Sequence, residues 1–425
     1  MKYYHKFLLL IIGLAVFRMC TIHYSYADET IYVSMSKAVF NGAVIYQDFF
    51  AAHPPLLLLV GLLAELFGGS LLSLRIVLLT FQILNLVVMN SILKHYKCSE
   101  NARLLILLLF MLTSGFYHIY NLALGYTTLN LFLLLSFYYC LKKRYAFSVL
   151  FAILAIFTRL FALFYLAPML LLVGGKKKLY YLIPLAALGL FFLLVPAAYD
   201  QIVTYHYDSD VGKTFSNGGV RLNMINAFWL YYPAFLLMSF VSRDYRLGLI
   251  ALFSFFGPMV MKSVFFMYTA FCVPWLVLSS CKDLKLSWLI VLVPLVFASC
   301  LIYHYNIVAT SDIIPLSDVI AIREALEPYD LPLAGDMVSV NVFSYLTGKP
   351  VLGSEAEPAG WFDTAYSRVV NMPDEWSEYL EQDHLFICLN ATGYLSTCNI
   401  IDVNDYRKIY QWRDVSVLLP DYLYS

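Results

Sequence analysis

From Leu104 to Leu141 the chain runs without a single Lys, Arg, Asp or Glu, and the run ends on Lys142-Lys143-Arg144. In hydrocarbon every backbone N–H and C=O needs an internal partner, so apolar stretches of this length fold as membrane-crossing helices. Each crossing takes about 20 apolar residues, fewer inside a bundle. The pattern recurs along the chain, with 61% hydrophobic and 13% charged residues overall. A soluble domain carries about 25% charged residues. Acidic and basic residues balance at 28 each, so no global basic field exists to gather nucleic acid.

Span length and the concentration of Lys and Arg in cytoplasmic loops together predict spans over 7–24, 75–93, 102–119, 126–141, 145–158, 160–173, 179–199, 225–241, 247–261, 263–280 and 286–303. The basic loops Lys94–Arg103, Lys142–Arg144, Lys176–Lys178, Arg243–Arg246 and Lys282–Lys285 then all lie inside. About 11 spans make an all-α polytopic membrane protein. The odd number puts the C-terminus outside. The scheme requires Pro54–Gly69 to be a juxtamembrane or re-entrant helix, opened by Pro54-Pro55 and stopped by Gly68-Gly69. The pair 145–158 and 160–173 reads either as two short helices or as one long helix through Arg159. Ser25-Tyr26-Ala27 resembles a signal-peptidase site, but the many later spans favour a retained first helix.

After about residue 304 the composition changes, dividing the chain into a membrane domain over 1–304 and a small extracytoplasmic α/β domain over 305–425. Helices are predicted over Ser317–Pro328, Ser339–Thr347, Pro373–Gln382 and Val403–Tyr410. Strands are predicted over Leu331–Gly335, Leu385–Leu389 and Val415–Leu419. Cys388 and Cys398 can pair in an oxidising compartment. Asn390-Ala391-Thr392 matches a glycosylation sequon.

The loop Ser25–Leu57, within an outer segment 25–74, concentrates the polar chemistry. It carries Asp28-Glu29, Tyr46-x-Asp48 and His53-Pro54-Pro55-Leu56. A carboxylate at the outer lipid boundary can act as a general base on a hydroxyl. The same residues fit a capping box from Ser25 to Asp28, and spacing leaves both open. Arg18, Arg75, His118, Arg159, Arg221 and Lys262 break the positive-inside pattern. Intramembrane charges are expensive and tend to be paired or functional. A ring of cations suits a phosphate headgroup, with ion pairing to acids or snorkelling as the competing account. His206, Asp208, Asp210 and Lys213 read as a solvated loop or a lid, and Tyr117, Tyr120 and Tyr126 as an interfacial belt or as rings that stack on sugars. No phosphate-cradling glycine loop, nucleophile elbow or metal-ligand cluster is present in the sequence.

The run ADETIY…FNGAVIYQDFFAAHPPL resembles the first outer loop of the multispan lipid-linked-sugar glycosyltransferases, the GT-C superfamily. That group includes protein O-mannosyltransferases, the aminoarabinose transferase of lipid A and Rgt-like transferases. Asp28-Glu29, Tyr32, Gly42, Tyr46-x-Asp48 and Pro54-Pro55-Leu56 follow the family order, and His53 is as in the mannosyltransferases. Arg75 corresponds to an arginine opening the next span, and Arg159 to a basic residue in the mid-chain apolar pair. Lys262–Pro274 resembles a later span, with Met267-Tyr268 where the family usually has Arg-Tyr.

The resemblance covers roughly residues 7–280. It implies an inverting transfer from a polyprenyl-phosphate sugar to an acceptor hydroxyl on a glycan, lipid or protein. Asp28 is then the base and Glu29 its support. Phosphate or substrate is held by His53, Arg75, Arg159, Tyr46, Asp48, Lys262 and Tyr268. No metal or cofactor beyond the lipid-linked donor is implied, and the plasma membrane is the expected location. The competing expectation is a transporter or flippase of lipid-linked glycans. Such proteins often show matching repeats, which are absent from this sequence.

Overall fold

The computed structural model describes residues 2–20, 24–25, 28–49, 51–113, 116, 119–203, 235, 244–260, 269–282, 284–309, 313–314, 316–335, 343, 346–347, 349, 383–389, 406–412 and 415–423. The chain forms two compact units. One comprises Met1–Ile22, His53–Tyr199 and Gly212–Thr310, the other His23–Ala52, Asp200–Val211 and Ser311–Ser425.

The first unit is helical. Its helices are α1 (Tyr3–Cys20), α3 (Leu59–Leu66), α4 (Leu71–His95), α5 (Glu100–Leu112), α6 (Tyr126–Leu141), α7 (Tyr145–Thr158), α8 (Ala162–Leu172), α9 (Ile183–Leu194), α11 (Tyr245–Phe256), α12 (Thr269–Cys281) and α13 (Leu286–Ala309). Among the described residues, three helical segments are long and apolar enough to cross a membrane alone: Tyr3–Cys20, Leu71–His95 and Gly175–Leu194. Shorter apolar stretches lie at Pro55–Leu66, Tyr126–Leu141, Tyr145–Thr158, Ala162–Leu172, Tyr245–Phe256, Ala270–Ser279 and, within α13, Leu286–Ala298.

α6 and α7 coincide with the predicted bounds. Gly125 in a left-handed conformation (φ +78°) opens α6, and Lys143 (φ +58°) closes the turn into α7. Arg159 is extended (φ −154°, ψ 140°) and breaks the apolar pair, so α7 and α8 are two helices. The predicted span 179–199 is instead a 3-10 segment, Gly175–Leu182, then α9, then α10 (Pro196–Val203). Pro184 and Pro196 stand at the joints, where a missing N–H costs least. α1 begins four residues before the predicted span. Its first turn is held by the Tyr3 hydroxyl donating to Asn90 Oδ1 (2.5 Å), with Arg103 over the Tyr3 ring at 4.1 Å. The predicted span 102–119 ends early, at Leu112, where the Thr113 hydroxyl turns back to the Phe110 carbonyl (2.6 Å). The predicted span 225–241 lies almost wholly outside the described residues.

Pro55–Leu58 is a 3-10 turn running into α3, 12 helical residues in all. At about 1.5–2 Å per residue they fall short of a hydrocarbon core of about 30 Å. Gly68 (φ +93°) and Gly69 (φ +61°) end the segment, and Ser70 caps α4 by accepting from Ser73 N at 3.1 Å.

α6 is buried on nearly every side, packing on α4, α7 and α12. Lipid tails are as apolar as leucine, so tight packing and hydrogen bonds hold such helices together. One buried knot shows this. Ser148 Oγ donates to the Ser136 carbonyl (2.7 Å) and lies 2.5 Å from the Tyr181 hydroxyl, while Tyr165 donates to Ser136 Oγ (3.2 Å). α6, α7, α8 and the 3-10 segment are thereby joined.

The second unit contains β1 (Tyr24–Ser25), α2 (Asp28–Phe40), β2 (Ile313–Ile314), α14 (Leu316–Leu326), β3 (Leu333–Gly335), β4 (Leu385–Leu389), β5 (Tyr406–Trp412) and β6 (Val415–Pro420). β1 pairs antiparallel with β2, Tyr24 opposite Ile314. The larger sheet has the order β3-β4-β6-β5, with β3 and β4 parallel and the other pairs antiparallel. Its core is Val319, Ile322 and Leu326 of α14 against Leu333, Leu385, Ile387, Val415, Val417 and Leu419. Val403–Tyr410, predicted as a helix, is a correction: Tyr406–Trp412 is strand β5, paired along β6. A bulge between Lys408 and Tyr410 breaks the alternation, so the neighbours Ile409 and Tyr410 both pack on the core. That spacing imitates a helix in the sequence. Phe343, Leu346 and Thr347 are helical, within the predicted Ser339–Thr347. Pro373–Gln382, Asn390–Thr392 and Cys398 lie outside the described residues.

Candidate functional site

In the second unit, α2 opens at Asp28, so Asp28 and Glu29 occupy its first turn. The helix N-terminus carries partial positive charge and favours carboxylates there. Glu29 is 2% exposed and Thr30 1%. Ser25 lies in β1, paired with Ile313.

α2 ends at Phe40 and Gly42 (φ +106°) reverses the chain. The Tyr46-x-Asp48 motif then builds a tight turn. Val44 N donates to Asp48 Oδ2 (2.5 Å), and Asp48 N donates to the Val44 carbonyl (2.9 Å). Tyr46 sits in the left-handed region (φ +70°) with its side chain buried. For a bulky residue that conformation costs about 1–2 kcal/mol. Gln201 of α10 offsets it: its Nε2 donates to the Tyr46 carbonyl (3.0 Å) and its Oε1 accepts from Ala51 N (2.8 Å). Burial pushes the Tyr46 hydroxyl well above its ordinary pKa, so the phenol stays neutral.

In the first unit, three buried arginines converge on one stretch of backbone between α5 and α6. Arg18 Nη2 donates to the Phe116 carbonyl (2.6 Å), Arg75 Nη1 to Asn121 (2.9 Å) and Arg159 Nε to Leu124 (2.7 Å). Each is 4–5% exposed. Two helix amides complete the grip. Gln82 Nε2 donates to the Tyr120 carbonyl (2.8 Å) while its Oε1 receives Arg18 Nε (2.9 Å), and Asn130 Nδ2 donates to the Tyr120 hydroxyl (2.5 Å) and the Ala270 carbonyl (2.8 Å). These contacts fix the orientation of the three guanidinium groups.

Arg159 also lies 4.5 Å from the Tyr126 ring centroid. Gly125 is beside it. A Cβ at Gly125 would stand 2.5 Å from Leu57 Cδ1 and 3.6 Å from Arg159 Nε. The turn that follows His53-Pro54 is thereby brought against Arg159. His53 itself is half-buried.

The structure therefore groups Leu57, Gly125, Tyr126 and Arg159, and places Arg75 on the same loop three residues earlier. Glu29, Tyr46 and Asp48 belong to the other unit. Lys262, Tyr268, His118 and Arg221 lie outside the described residues. Gln82, Asn130 and Gln201 were missed by the motif reading. Polar amides inside the apolar runs around Gln82 and Asn130 are a usable signal; Gln201 has none. Among the described residues no group of three His, Cys, Asp or Glu side chains is placed to hold a metal.

No protein-family model and no curated protein matches the sequence. The fold does match. The crystal structure of ArnT from Cupriavidus metallidurans bound to undecaprenyl phosphate superposes with a TM-score of 0.69 over 97% of each chain at 12% identity. The apo state of that protein gives 0.65 over 98% of each chain, also at 12% identity. The chain has the fold of ArnT. The GT-C resemblance read from the first loop thus holds at the level of the fold. The S. cerevisiae protein O-mannosyltransferase Pmt1-Pmt2 complex bound to the sugar donor aligns over 47% of this chain and 34% of its own, at 16% identity and a TM-score of 0.38. That is too low to carry an argument. The ArnT-like chain is a mostly helical protein with several apolar helices of membrane type.

Proposed function

We propose that this chain is a membrane glycosyltransferase that moves a sugar from a polyprenyl-phosphate donor to an acceptor hydroxyl. The observation that carries the reading is near full-length agreement in fold with ArnT, a protein captured with undecaprenyl phosphate. The buried arginine group around Gly125 supports it with suitable phosphate chemistry.

In this reading Asp28 takes the proton of the acceptor hydroxyl, and the freed oxygen attacks the anomeric carbon with inversion. The bond from that carbon to the phosphate oxygen breaks, and the electron pair leaves on polyprenyl phosphate. Arg159, Arg75 and His53 stabilise the departing charge, with Lys262 and Tyr268 as further contacts. Such preoriented charge is commonly the largest catalytic term. Glu29 supports Asp28, and the Tyr46-x-Asp48 turn shapes the loop. The finer topology, with about 11 spans and the site and C-terminal α/β domain on the outer face, belongs to the same proposal.

The test is reconstitution of the purified protein with a labelled polyprenyl-phosphate sugar. Release of free polyprenyl phosphate with a glycosylated product supports the reading. Movement of intact donor between leaflets without bond cleavage contradicts it and favours a flippase.

A further inference from the structure

Two turns at one end of the helical unit carry six cations and no acid. Lys142-Lys143-Arg144 connects α6 to α7, and Lys176-Lys177-Lys178 opens the 3-10 segment before α9. All six are exposed. The turns are neighbours in space. Tyr145, next to Arg144, stacks on Tyr180 (centroids 6.5 Å apart), and Lys177 Nζ lies 5.0 Å over the Tyr145 ring. One turn below, Ser148 meets Tyr181. Lys142 lies over Tyr138 at 5.6 Å. Among the described residues, ring contacts of Lys142 and Lys177 are the only side-chain interactions of the six cations, and none of the six forms an ion pair.

The other basic turn differs. Lys94–Arg103 contains Glu100, and its Tyr96 ring lies 4.2 Å from Lys282, which is paired to Asp244 at 3.3 Å. There, acids of the protein itself accompany the cations.

The surface beneath the six cations is apolar and uncovered. Phe147, Leu150, Leu171, Leu179, Leu182 and Ile183 are all more than 40% exposed. Unbalanced cations, then tyrosines, then bare aliphatic surface is the sequence of layers in an anionic phospholipid read from head to tail. Tyrosines favour the headgroup level, and basic clusters beside spans attract anionic lipid.

We propose that Lys142–Arg144 and Lys176–Lys178 form a binding site for an anionic phospholipid headgroup, whose chains lie along the exposed face of α7 and α9. The site is independent of the glycosyl-transfer reading. By the positive-inside rule it is on the cytoplasmic leaflet.

The experiment uses the full chain in phosphatidylcholine nanodiscs doped with photo-crosslinking phosphatidylglycerol, with photo-crosslinking phosphatidylcholine as the neutral counterpart. Phosphatidylglycerol crosslinks are expected at 142–150 and 176–183, to weaken with added salt, and to exceed those of phosphatidylcholine. Replacing all six cations with Gln is expected to cut them by more than about tenfold. The triple variant Lys94→Gln, Lys97→Gln, Lys285→Gln is expected to leave them unchanged. If the sixfold variant does not fold, Lys176→Gln, Lys177→Gln, Lys178→Gln together with the salt series on the wild type decide the matter. Equal crosslinking by both lipids, or full retention in the charge-depleted variants, overturns the site. Occupancy by a polyglutamate probe in place of lipid also overturns it, by pointing to an acidic protein partner.

Discussion

At the scale of single residues, Arg159 does three things at once: it breaks the helix, grips the Leu124 carbonyl and faces Tyr126. A lysine supplies charge but not a fixed Nε–H with a stacking plane. Arg159→Lys is therefore expected to lose most activity, by about 10²-fold for the lost preorganised donor, with Arg159→Ala lower still. Donor cleavage rates check this. Gly125→Ala places a Cβ at positive φ against Leu57 and is expected to destabilise by about 1–3 kcal/mol, read as thermal unfolding in detergent. Gln201→Leu strands the Tyr46 carbonyl and Ala51 N–H, a loss of about 1–3 kcal/mol per buried group, and should loosen the Tyr46–Asp48 turn to proteolysis.

Asp244 supplies a pH signature outside the spans. Burial pushes its carboxyl up, but the Tyr96 hydroxyl, Lys282 and the Arg246 backbone N–H together hold it below its ordinary value. Its folded pKa is depressed, so its stabilisation is present above about pH 4 and fades as pH falls through the folded value. Asp244→Asn is expected to flatten that acid limb in a pH series of unfolding temperatures.

At the scale of elements, the turns that carry strong local chemistry were legible. Lys142–Arg144 and Gly68-Gly69 mark helix ends in the sequence and mark them in the fold. The charge at Arg159 announced an anomaly but not whether the helix bends or breaks. Hydropathy alone drew the span as 179–199, whereas the apolar segment is Gly175–Leu194, because hydropathy averages over Pro196, where the next helix begins. β5 was misread because its bulge puts consecutive residues on one face. Interhelical hydrogen bonds were invisible for a different reason: Ser136, Ser148, Tyr165 and Tyr181 come from separate elements. A double-mutant cycle of Ser148→Ala and Tyr181→Phe should give a coupling of about 0.6–2 kcal/mol. A coupling near zero would assign the knot to packing alone.

At the scale of the whole molecule, sequence order and compactness part company. Residues His23–Ala52 group with Ser311–Ser425, tied by the β1–β2 pairing. The loop carrying Asp28, Glu29, Tyr46 and Asp48 thus depends on the C-terminal segment for its structure. A change of composition near residue 304 points to a second kind of structure ahead, and the second compact unit resumes at Ser311. It cannot show that an early loop joins it, because that pairing is between strands of two residues each. The arginine group belongs to the helical unit, and the separation of acid and cation roles is the core of the account. Donor cleavage measured side by side in the wild type, Asp28→Asn and Arg159→Ala tests it most directly. The expected result is that Asp28→Asn binds undecaprenyl phosphate normally without cleaving donor, while Arg159→Ala is impaired in both. Wild-type cleavage by Asp28→Asn, or unimpaired phosphate binding by Arg159→Ala, would contradict it.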